Sequence, residues 1–338
     1  MLKKLALIIA TTIAASSSWA DGNEVNIYSA RKEALIKPLL DQFTEKTGIR
    51  VNLVTGKADA LLARLKSEGK LSPADVLLTT DAGRLHRAKE AELLQPVKSS
   101  YLEENIPQHL RDSDNQWFGL STRARPIMYS LERVKPSELS SYEALAKPEF
   151  KGRICIRSSS NIYNQSLIAS MLAADGAEKT AAFLKPFVKN FAQPPKGGDR
   201  DQIKAVANGI CDIAIANTYY LAGMLNSNDE AQQTAASKVK VFWPNQDGRG
   251  THINVSGAGV LKAAKNRDNA VKLIEFMATA KSQSWYAQTN NEYPVRKGVA
   301  YSPLLESWGS FKADQLNLSQ LGELNADAVK LMDKVGWR

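Results

Sequence analysis

The strongest constraint on the fold is an alternation of short apolar runs with longer segments whose apolar residues recur at helical spacing. Apolar runs of four or five residues are typical of buried strands, and the longer amphipathic segments are typical of helices. In order, the first predicted elements are strand Val25–Ser29, helix Lys32–Lys46 closed by Gly48, strand Val51–Val54, helix Ala58–Ser67 and strand Asp75–Leu78. This β-α-β-α-β order predicts an α/β fold with a parallel, doubly wound sheet.

A second unit of the same kind follows. Its predicted strands are Arg153–Arg157 and Cys211–Ala216. Its predicted helices run from the Ser158–Asn161 caps to about Ala174, where Gly176 stops the helix, over Glu178–Phe191 with a kink at Pro186, and over Asp199–Ala207. Strand Ile253–Val260 and helices Asp268–Ala280 and Leu318–Val335 complete the pattern. Two such units predict two lobes with a cleft between them. Ligands of open α/β sheets bind beyond the carboxyl ends of the strands, so the residues just after each strand are the candidate site.

Composition and charge exclude several classes of protein. The chain has 338 residues, 43% of them hydrophobic and 23% charged, which is typical of a folded globular protein. Its three histidines and two cysteines form no zinc-binding pattern, which argues against a His-rich or Cys-rich zinc enzyme. The formal net charge is +9. No basic tract interleaved with aromatic residues accompanies it, so nucleic acid is not an expected partner. An anionic ligand, an anionic membrane surface or a merely solvated basic surface fits the charge.

The first 20 residues are predicted to be a secretory signal peptide. Lys3 and Lys4 precede an apolar stretch from Leu5 to Ala15, and Ser18 and Ala20 are small residues at the positions that a signal peptidase reads. We expect cleavage after Ala20 and a periplasmic location. In an oxidising compartment Cys155 and Cys211 could form one disulfide, and two buried free thiols are the alternative.

Tyrosines follow two of the predicted strands. Tyr163 lies near the start of one helix, and the pair Tyr219–Tyr220 lies at the start of another. A phenol is normally neutral, but a hard trivalent cation prefers an anionic oxygen and would displace the phenolic proton. Adjacent residues at a helix start point about 100° apart, so both members of the pair could approach one ion. Ordinary packing or surface tyrosines are the alternative.

Arginines form a second group of candidate binding residues. Arg31 follows the first strand, and Arg123 and Arg125 lie in a segment that is predicted to cross between the lobes. Arginine keeps its charge and grips planar oxyanions through two parallel hydrogen bonds. Solvated surface arginines are the alternative interpretation.

Several motifs together resemble the periplasmic ferric-ion-binding proteins of ABC importers. The resemblance keeps its order over nearly the whole chain after the signal peptide, and the tandem tyrosine after an Ile-Ala-Asn run is its most specific element. The motifs are Val25–Arg31, Ser72–Val76, Trp117–Leu120 with Arg123, Ser159–Gln165, Asn217–Tyr220, Thr251–Gly259 and Glu292–Val295. The resemblance implies a two-lobed, type II-like periplasmic binding protein. Each lobe would be a mostly parallel sheet with flanking helices, with a hinge of crossover strands near 120–126 and 245–256.

The resemblance also implies a ligand set, in which Tyr219 and Tyr220 bind Fe(III) and Tyr163 supplies a third phenolate. One branch of the family has a His and a Glu where this chain has Arg31 and Thr80. Another branch has a His-Tyr pair where this chain has Lys32-Glu33. The chain is therefore similar to the tyrosine-only members, which recruit carbonate or bicarbonate.

Charge arithmetic agrees with a tyrosine-only site. Three phenolates neutralise Fe(III) and a bidentate carbonate adds two more oxygens, leaving the last position of an octahedral ion to water or a second carbonate. Arg31 and Arg123 would balance the carbonate charge, and Ser160 or a helix-start N–H would hold its oxygens. Asp81 and Glu33 are left open as further ligands. Because protons compete for phenolate and carbonate, acid is expected to promote release.

The resemblance implies a monomeric binding protein that closes on its ligand and docks on a membrane permease, and not an enzyme. The expected lobes are 21–122 with about 250–295, and 123–249 with about 296–338. One competing interpretation is an importer component for another small oxyanion, such as phosphate, sulfate or a thiamine ester. A secreted hydrolase is the other, but the chain has no Gly-x-Ser-x-Gly motif. Ser256 is not such a nucleophile, and Gly257 and Gly259 are expected to mark a close backbone approach.

Overall fold

Two mixed β-sheets organise the chain in a computed structural model that describes residues 23–338. The predicted signal peptide and its cleavage site lie outside the described residues. The first sheet has the strand order β2-β1-β3-β9-β4 and the second has β6-β7-β5-β8. The strands are β1 Glu24–Ser29, β2 Arg50–Thr55, β3 Val76–Thr80, β4 Phe118–Ala124, β5 Ile127–Ser130, β6 Ile154–Cys155, β7 Ile213–Ile215, β8 Val239–Phe242 and β9 Ile253–Val260.

Helices flank both sheets, as the alternating sequence pattern predicts. They are α1 Lys37–Thr47, α2 Ala58–Glu68, α3 Ala82–Glu90, α4 Ser100–Asn105, α5 Ile162–Lys189, α6 Asp199–Ala207, α7 Thr218–Leu225, α8 Glu230–Ser237, α9 Arg267–Met277, α10 Ala280–Asn290, α11 Pro303–Ser307, α12 Gln320–Glu323 and α13 Asn325–Lys334. Short 3-10 segments lie at Glu33–Leu35, Gly69–Leu71, Gln108–Leu110, Pro136–Glu138, Glu143–Ala146 and Pro148–Phe150. Within residues 23–338, no helix has both the length and the apolar character needed to cross a membrane.

The predicted α/β class is confirmed, but the sheets are less parallel than expected. β1 runs parallel to β2 and β3, and β6 runs parallel to β7. β9 is antiparallel to both β3 and β4, and β5 is antiparallel to both β7 and β8. The reason is the path of the chain. It leaves the first sheet through β4, enters the second as β5, and later returns as β9, so the crossing strands run against their neighbours.

One helix start and one predicted interruption differ from the structure, and one predicted helix end is confirmed. The first helix begins at Lys37 and not at Lys32, because Glu33–Leu35 forms a 3-10 turn before it and Pro38 occupies its first turn. The non-helical backbone inside α5 lies at Gly176, where φ is +79°, as predicted, whereas the backbone at Pro186 stays helical and the interruption predicted there is wrong. A positive φ is readily adopted only by glycine, so Gly176 sets the break.

Three further features fix the position of the site. A disulfide joins Cys155 to Cys211 and so ties the end of β6 to the chain before β7. At Gly257, a Cβ atom would lie 2.5 Å from the Phe118 carbonyl oxygen, which confirms the expected close approach of β9 to β4. Near the end of the chain, the Trp337 ring is fully buried, and its Nε1 donates to the Arg157 carbonyl at 2.9 Å.

Candidate metal centre

The structure brings the three predicted tyrosines together. Tyr163 lies in the first turn of α5 and Tyr219 and Tyr220 in the first turn of α7. These helices follow β6 and β7, which are adjacent and parallel, so both helix starts lie at the same edge of the second sheet. The Tyr219 and Tyr163 hydroxyl oxygens are 3.2 Å apart, and the Tyr219 and Tyr220 ring centroids are 4.4 Å apart. The phenolic oxygens therefore form one cluster.

Burial and mutual repulsion keep the tandem phenols protonated. Burial raises the pKa of Tyr219 well above its ordinary value, and the neighbouring Tyr163 and Tyr220 raise it further, while Arg123 opposes them. Burial, Tyr163 and Asp199 raise the pKa of Tyr220 to about 12. Both phenols are therefore neutral at neutral pH, and a phenolate forms here only when a cation displaces the proton.

Guanidinium groups surround the phenols. The guanidinium carbons of Arg123 and Arg157 each lie 5.6 Å from the centre of the Tyr163 ring, and that of Arg200 lies 5.1 Å from the Tyr220 ring. Cations over an aromatic face are attracted to its π electrons and also favour a deprotonated oxygen nearby. The cluster is thus suited to anionic oxygen ligands, whether phenolate or exogenous.

Arg123 is buried in β4 and has free donors. Its Nη1 donates to Ser256 Oγ at 3.4 Å, and its Nη2 lies 3.6 Å from Asp81 Oδ2. Its Nε and Nη2 make no hydrogen bond within the described chain. Arg123 lines a small cavity with Tyr163 and Asp81 that has no room for a water molecule, so its anion-binding role stays a prediction.

Arg31 already has a partner. It is buried and forms an ion pair with Glu292. Its Nη2 also donates to Ser121 Oγ at 3.1 Å, and that hydroxyl donates to Glu292 Oε2 at 2.6 Å. In the sequence, Glu292 stands out only as part of the motif Glu292–Val295. No local pattern identifies it as the partner of Arg31, which is 261 positions away. An exogenous anion at Arg31 would share that arginine with Glu292.

The remaining predicted candidates lie outside this cluster of contacts. Ser160 is exposed, and its hydroxyl pairs with that of Ser158 at 2.9 Å. Its anion-binding role stays a prediction. Glu33 is exposed, and the Thr80 hydroxyl accepts a hydrogen bond from Arg84 at 3.5 Å. Within residues 23–338, no group of three or more His, Cys, Asp or Glu side chains could hold a metal ion.

Asp81 links the two lobes behind the cluster. It is fully buried at the start of α3, and its backbone has a φ of +83°, which is strained for a residue other than glycine. Its Oδ1 accepts from Gly83 N at 2.9 Å and from Ser166 Oγ on α5 at 2.7 Å. Asn254 Nδ2 donates to its other oxygen at 2.9 Å. Helix α3 follows the first sheet and α5 the second, so Asp81 and Ser166 form a contact between lobes that the sequence did not indicate.

A family model and individual relatives agree with the sequence-based resemblance. The chain matches the model for bacterial extracellular solute-binding proteins over residues 39–313. It is 54% identical over 315 residues to iron uptake protein A1 of Synechocystis sp., a match that covers 93% of this chain and 88% of that one. The matched family consists of solute-binding proteins, so the chain is a binding protein and not an enzyme, as predicted.

Solved structures confirm the two-lobed, type II-like fold. The Trichodesmium protein IdiA, or FutA, in complex with iron and citrate is 53% identical, with a TM-score of 0.91 over 93% of this chain and 100% of that one. Ferric iron-binding protein A of Mannheimia haemolytica in an open conformation is 47% identical, with a TM-score of 0.88 over 93% of this chain and 99% of that one. The chain therefore belongs to the bacterial extracellular solute-binding proteins, and the resemblance of its motifs to periplasmic ferric-ion-binding proteins is confirmed.

Proposed function

We propose that the protein binds Fe(III) in the cleft through Tyr163, Tyr219 and Tyr220. The observation that carries this proposal is the convergence of three phenols from two helix starts, with the Tyr219 and Tyr163 oxygens 3.2 Å apart. Fe(III) is a hard cation that favours anionic oxygen ligands and can displace protons from phenols whose pKa is high. The iron uptake protein of Synechocystis, the iron complex of the Trichodesmium protein and the ferric iron-binding protein of Mannheimia support the same choice of cargo.

A synergistic anion follows from the charges around the phenols. Five arginines surround the cluster, and three carboxylates pair with them, which leaves an excess of two positive charges. The arginines are Arg31, Arg123, Arg125, Arg157 and Arg200, and the carboxylates are Asp81, Asp199 and Glu292. Three phenolates neutralise Fe(III), so a dianion such as carbonate, or bicarbonate that loses its proton on binding, balances the excess. The iron and citrate in the Trichodesmium relative make a hydroxycarboxylate the alternative anion.

Delivery to a membrane permease of an ABC importer completes the proposed function, with the protein acting as a periplasmic monomer. The proposed lobes are 21–122 with about 250–295, and 123–249 with about 296–338. The sheets support the division near 125, because β4 ends at Ala124 in the first sheet and β5 begins at Ile127 in the second. The C-terminal segment contacts both units, since α12 packs against α3 and α5.

An importer component for a small oxyanion remains the second candidate. The Nε donor of Arg123, which makes no hydrogen bond to the described residues, favours it, because a buried guanidinium with an unused donor suits phosphate or sulfate. The clustered phenols distinguish the two candidates, because an oxyanion has no need of them. An experiment that identifies the bound ligand must therefore detect bonds between a metal and phenolate, because closure of the lobes would follow from either ligand.

The deciding experiment is visible spectroscopy of the mature, metal-free protein titrated with ferric citrate, with and without bicarbonate. Iron bound to phenolate gives a charge-transfer band, and we expect this band to weaken in Tyr220→Phe. Tyr129→Phe is the matched control, because Tyr129 is a buried tyrosine in β5 of the same sheet. A colourless protein that closes on phosphate or sulfate would favour the oxyanion importer. A band that is identical without bicarbonate would assign the anion to citrate.

The pH dependence provides an independent check. Burial raises the pKa of both Tyr219 and Tyr220, so iron must displace their protons on binding. Each displaced proton makes the apparent affinity fall about tenfold per pH unit of acidification. Iron retention against a pH-independent competitor should therefore decrease steeply as the pH falls. Retention that is flat between pH 7 and pH 5 would contradict binding through neutral phenols.

A further inference from the structure

Arg125 occupies the crossover between the sheets, and its side chain reaches behind the phenol cluster. It is 1% exposed and lies between β4 and β5. Its Nη2 donates to Asn164 Oδ1 at 2.7 Å, and its Nη1 donates to Asn217 Oδ1 at 3.0 Å and to Asp199 Oδ2 at 2.9 Å. One guanidinium therefore holds residues from three different segments of the second lobe.

Two of these partners adjoin the phenols. Asn164 follows Tyr163 in α5, and Asn217 precedes the tandem pair at the start of α7. Asn164 Nδ2 also donates to the carbonyls of Arg157 and Ser158, at 2.9 and 3.2 Å, and so holds the loop that leads into α5. The two helix starts thus share one buried cation as their common support.

Asp199 completes this support from the start of α6. Its Oδ2 accepts from the Asn217 backbone N–H at 2.8 Å, and its Oδ1 accepts from Arg157 Nη1 at 3.2 Å. The Asn217 side chain makes no capping bond to the α7 backbone. Its Oδ1 accepts from Arg125, and its Nδ2 donates to Tyr219 Oη at 3.4 Å. Arg125 and Asp199 therefore hold the N-cap residue of α7 from its side chain and its backbone.

The Arg125 backbone lies where the two crossovers meet. Its N–H donates to the His252 carbonyl at 3.0 Å, and its own carbonyl accepts from Tyr142 Oη at 2.8 Å. The Tyr142 oxygen in turn accepts from the His252 N–H at 3.2 Å. Arg125 is thus bonded through its side chain to the starts of α5 and α7, which carry the tyrosines. Through its backbone it is bonded to His252, the residue just before β9.

We propose that Arg125 is a positioning residue that fixes Tyr163 relative to Tyr219 and Tyr220 and ties their spacing to the interlobe crossover. The proposal rests on the function proposed above. Arginine suits this role because its rigid fork serves three acceptors in fixed directions, whereas the single ammonium of lysine cannot reproduce that geometry. Arg125 itself supplies no bond to iron in this proposal. It acts through Asn164, Asn217 and Asp199 and through its guanidinium carbon, which lies 5.9 Å from the centre of the Tyr163 ring.

Arg125→Lys tests the proposal because it keeps the charge and removes the fork. Arg133→Lys is the matched control. Arg133 belongs to the same lobe, donates to Asp212 at 2.8 Å and to the Cys211 carbonyl at 3.2 Å, and lies away from the phenols. The assays are Fe(III) affinity by competition, the energy of the iron–phenolate band, and backbone hydrogen exchange of the metal-free protein. Exchange is followed over 161–166 and 217–221.

We expect Arg125→Lys to lower Fe(III) affinity about 10- to 100-fold, to shift the band, and to speed exchange at both helix starts, whereas Arg133→Lys leaves all three unchanged. Wild-type affinity, band and exchange in Arg125→Lys would overturn the proposal, as would equal losses in both variants. If Arg125→Lys fails to fold, Asn217→Ala replaces it, with faster exchange expected over 217–221 and not over 161–166. If the wild type binds no iron, the proposed function fails, while the metal-free exchange comparison still decides the role of Arg125.

Discussion

The contact between Asp81 and Ser166 predicts a measurable effect on lobe closure. Ser166 Oγ lies 2.7 Å from Asp81 Oδ1, and both residues are fully buried. Ser166→Ala removes this bond between the lobes. It leaves Asp81 with its hydrogen bonds from Gly83 and Asn254 and with the nearby Arg123 guanidinium, so the carboxylate is not stranded.

The magnitude follows from the charge of the acceptor. A hydrogen bond to a charged group contributes about 1.5–3 kcal/mol, net of its replacement by water. When the lobes separate, water hydrates both groups. The hydrogen bond therefore stabilises only the state in which the lobes are in contact. Ser166→Ala should therefore shift the equilibrium toward separated lobes by roughly 10- to 150-fold, because 1.4 kcal/mol corresponds to about a factor of ten.

Small-angle X-ray scattering of the metal-free and iron-loaded protein measures the lobe separation, and stopped-flow transfer of iron to a chelator measures release. We expect a larger radius of gyration for metal-free Ser166→Ala and faster iron release. Thr180→Val is the control, because Thr180 is a buried residue of the same helix whose hydroxyl donates to the Gly176 carbonyl at 2.8 Å. An unchanged radius and release rate in Ser166→Ala would refute the assignment of this contact as a closing one, and so would an equal change in Thr180→Val.

Three further predictions concern stability. Reduction of the Cys155–Cys211 disulfide, which closes a 56-residue separation, should lower the unfolding free energy by about 4 kcal/mol, measured by denaturant titration with and without reductant. Burial alone would raise the pKa of Asp212, but hydrogen bonds from Arg153 and Arg133 outweigh it and hold the pKa below its ordinary value. The stabilisation is present at neutral pH and is lost as the pH falls through that lowered pKa, so Asp212→Asn should lower the Tm at pH 7 and have no effect in strong acid. Gly257→Ala should cost about 1–3 kcal/mol in thermal unfolding, because its Cβ would meet the Phe118 carbonyl oxygen at 2.5 Å, whereas Gly248→Ala should cost less, because the nearest atom to its Cβ would be the Asn245 carbonyl oxygen at 3.8 Å.

The elements that lead to the site could be predicted because their signals are local. Apolar periodicity and capping residues depend on neighbours within one turn of a helix or a few residues of a strand. They therefore located the starts of α5 and α7, and with them Tyr163 and the tandem pair. The parallel pairing of β6 and β7 then brings the two starts together, as general rules for α/β sheets require.

The supporting contacts could not be predicted because they join distant parts of the chain. Arg125 and Asp199 are 74 residues apart, and Asp81 and Ser166 are 85 apart. Only the path of the crossover strands brings these groups together. The same path made the second sheet less parallel than expected, since a sequence pattern identifies a strand but not the direction in which it meets its neighbours.

The charges of the site determine an order of binding that can be tested. Before iron arrives, Tyr219 and Tyr220 are neutral and the surrounding arginines exceed the carboxylates by two, so the cleft attracts an anion and repels a bare trivalent cation. Three phenolates neutralise Fe(III), so the positive excess persists until an anion neutralises it. We therefore expect the anion to bind first and to raise iron affinity. Calorimetry should detect citrate or bicarbonate binding to the metal-free protein, weakened in Arg123→Gln. Anion binding that requires iron beforehand would show that the metal, and not the arginine excess, recruits the anion.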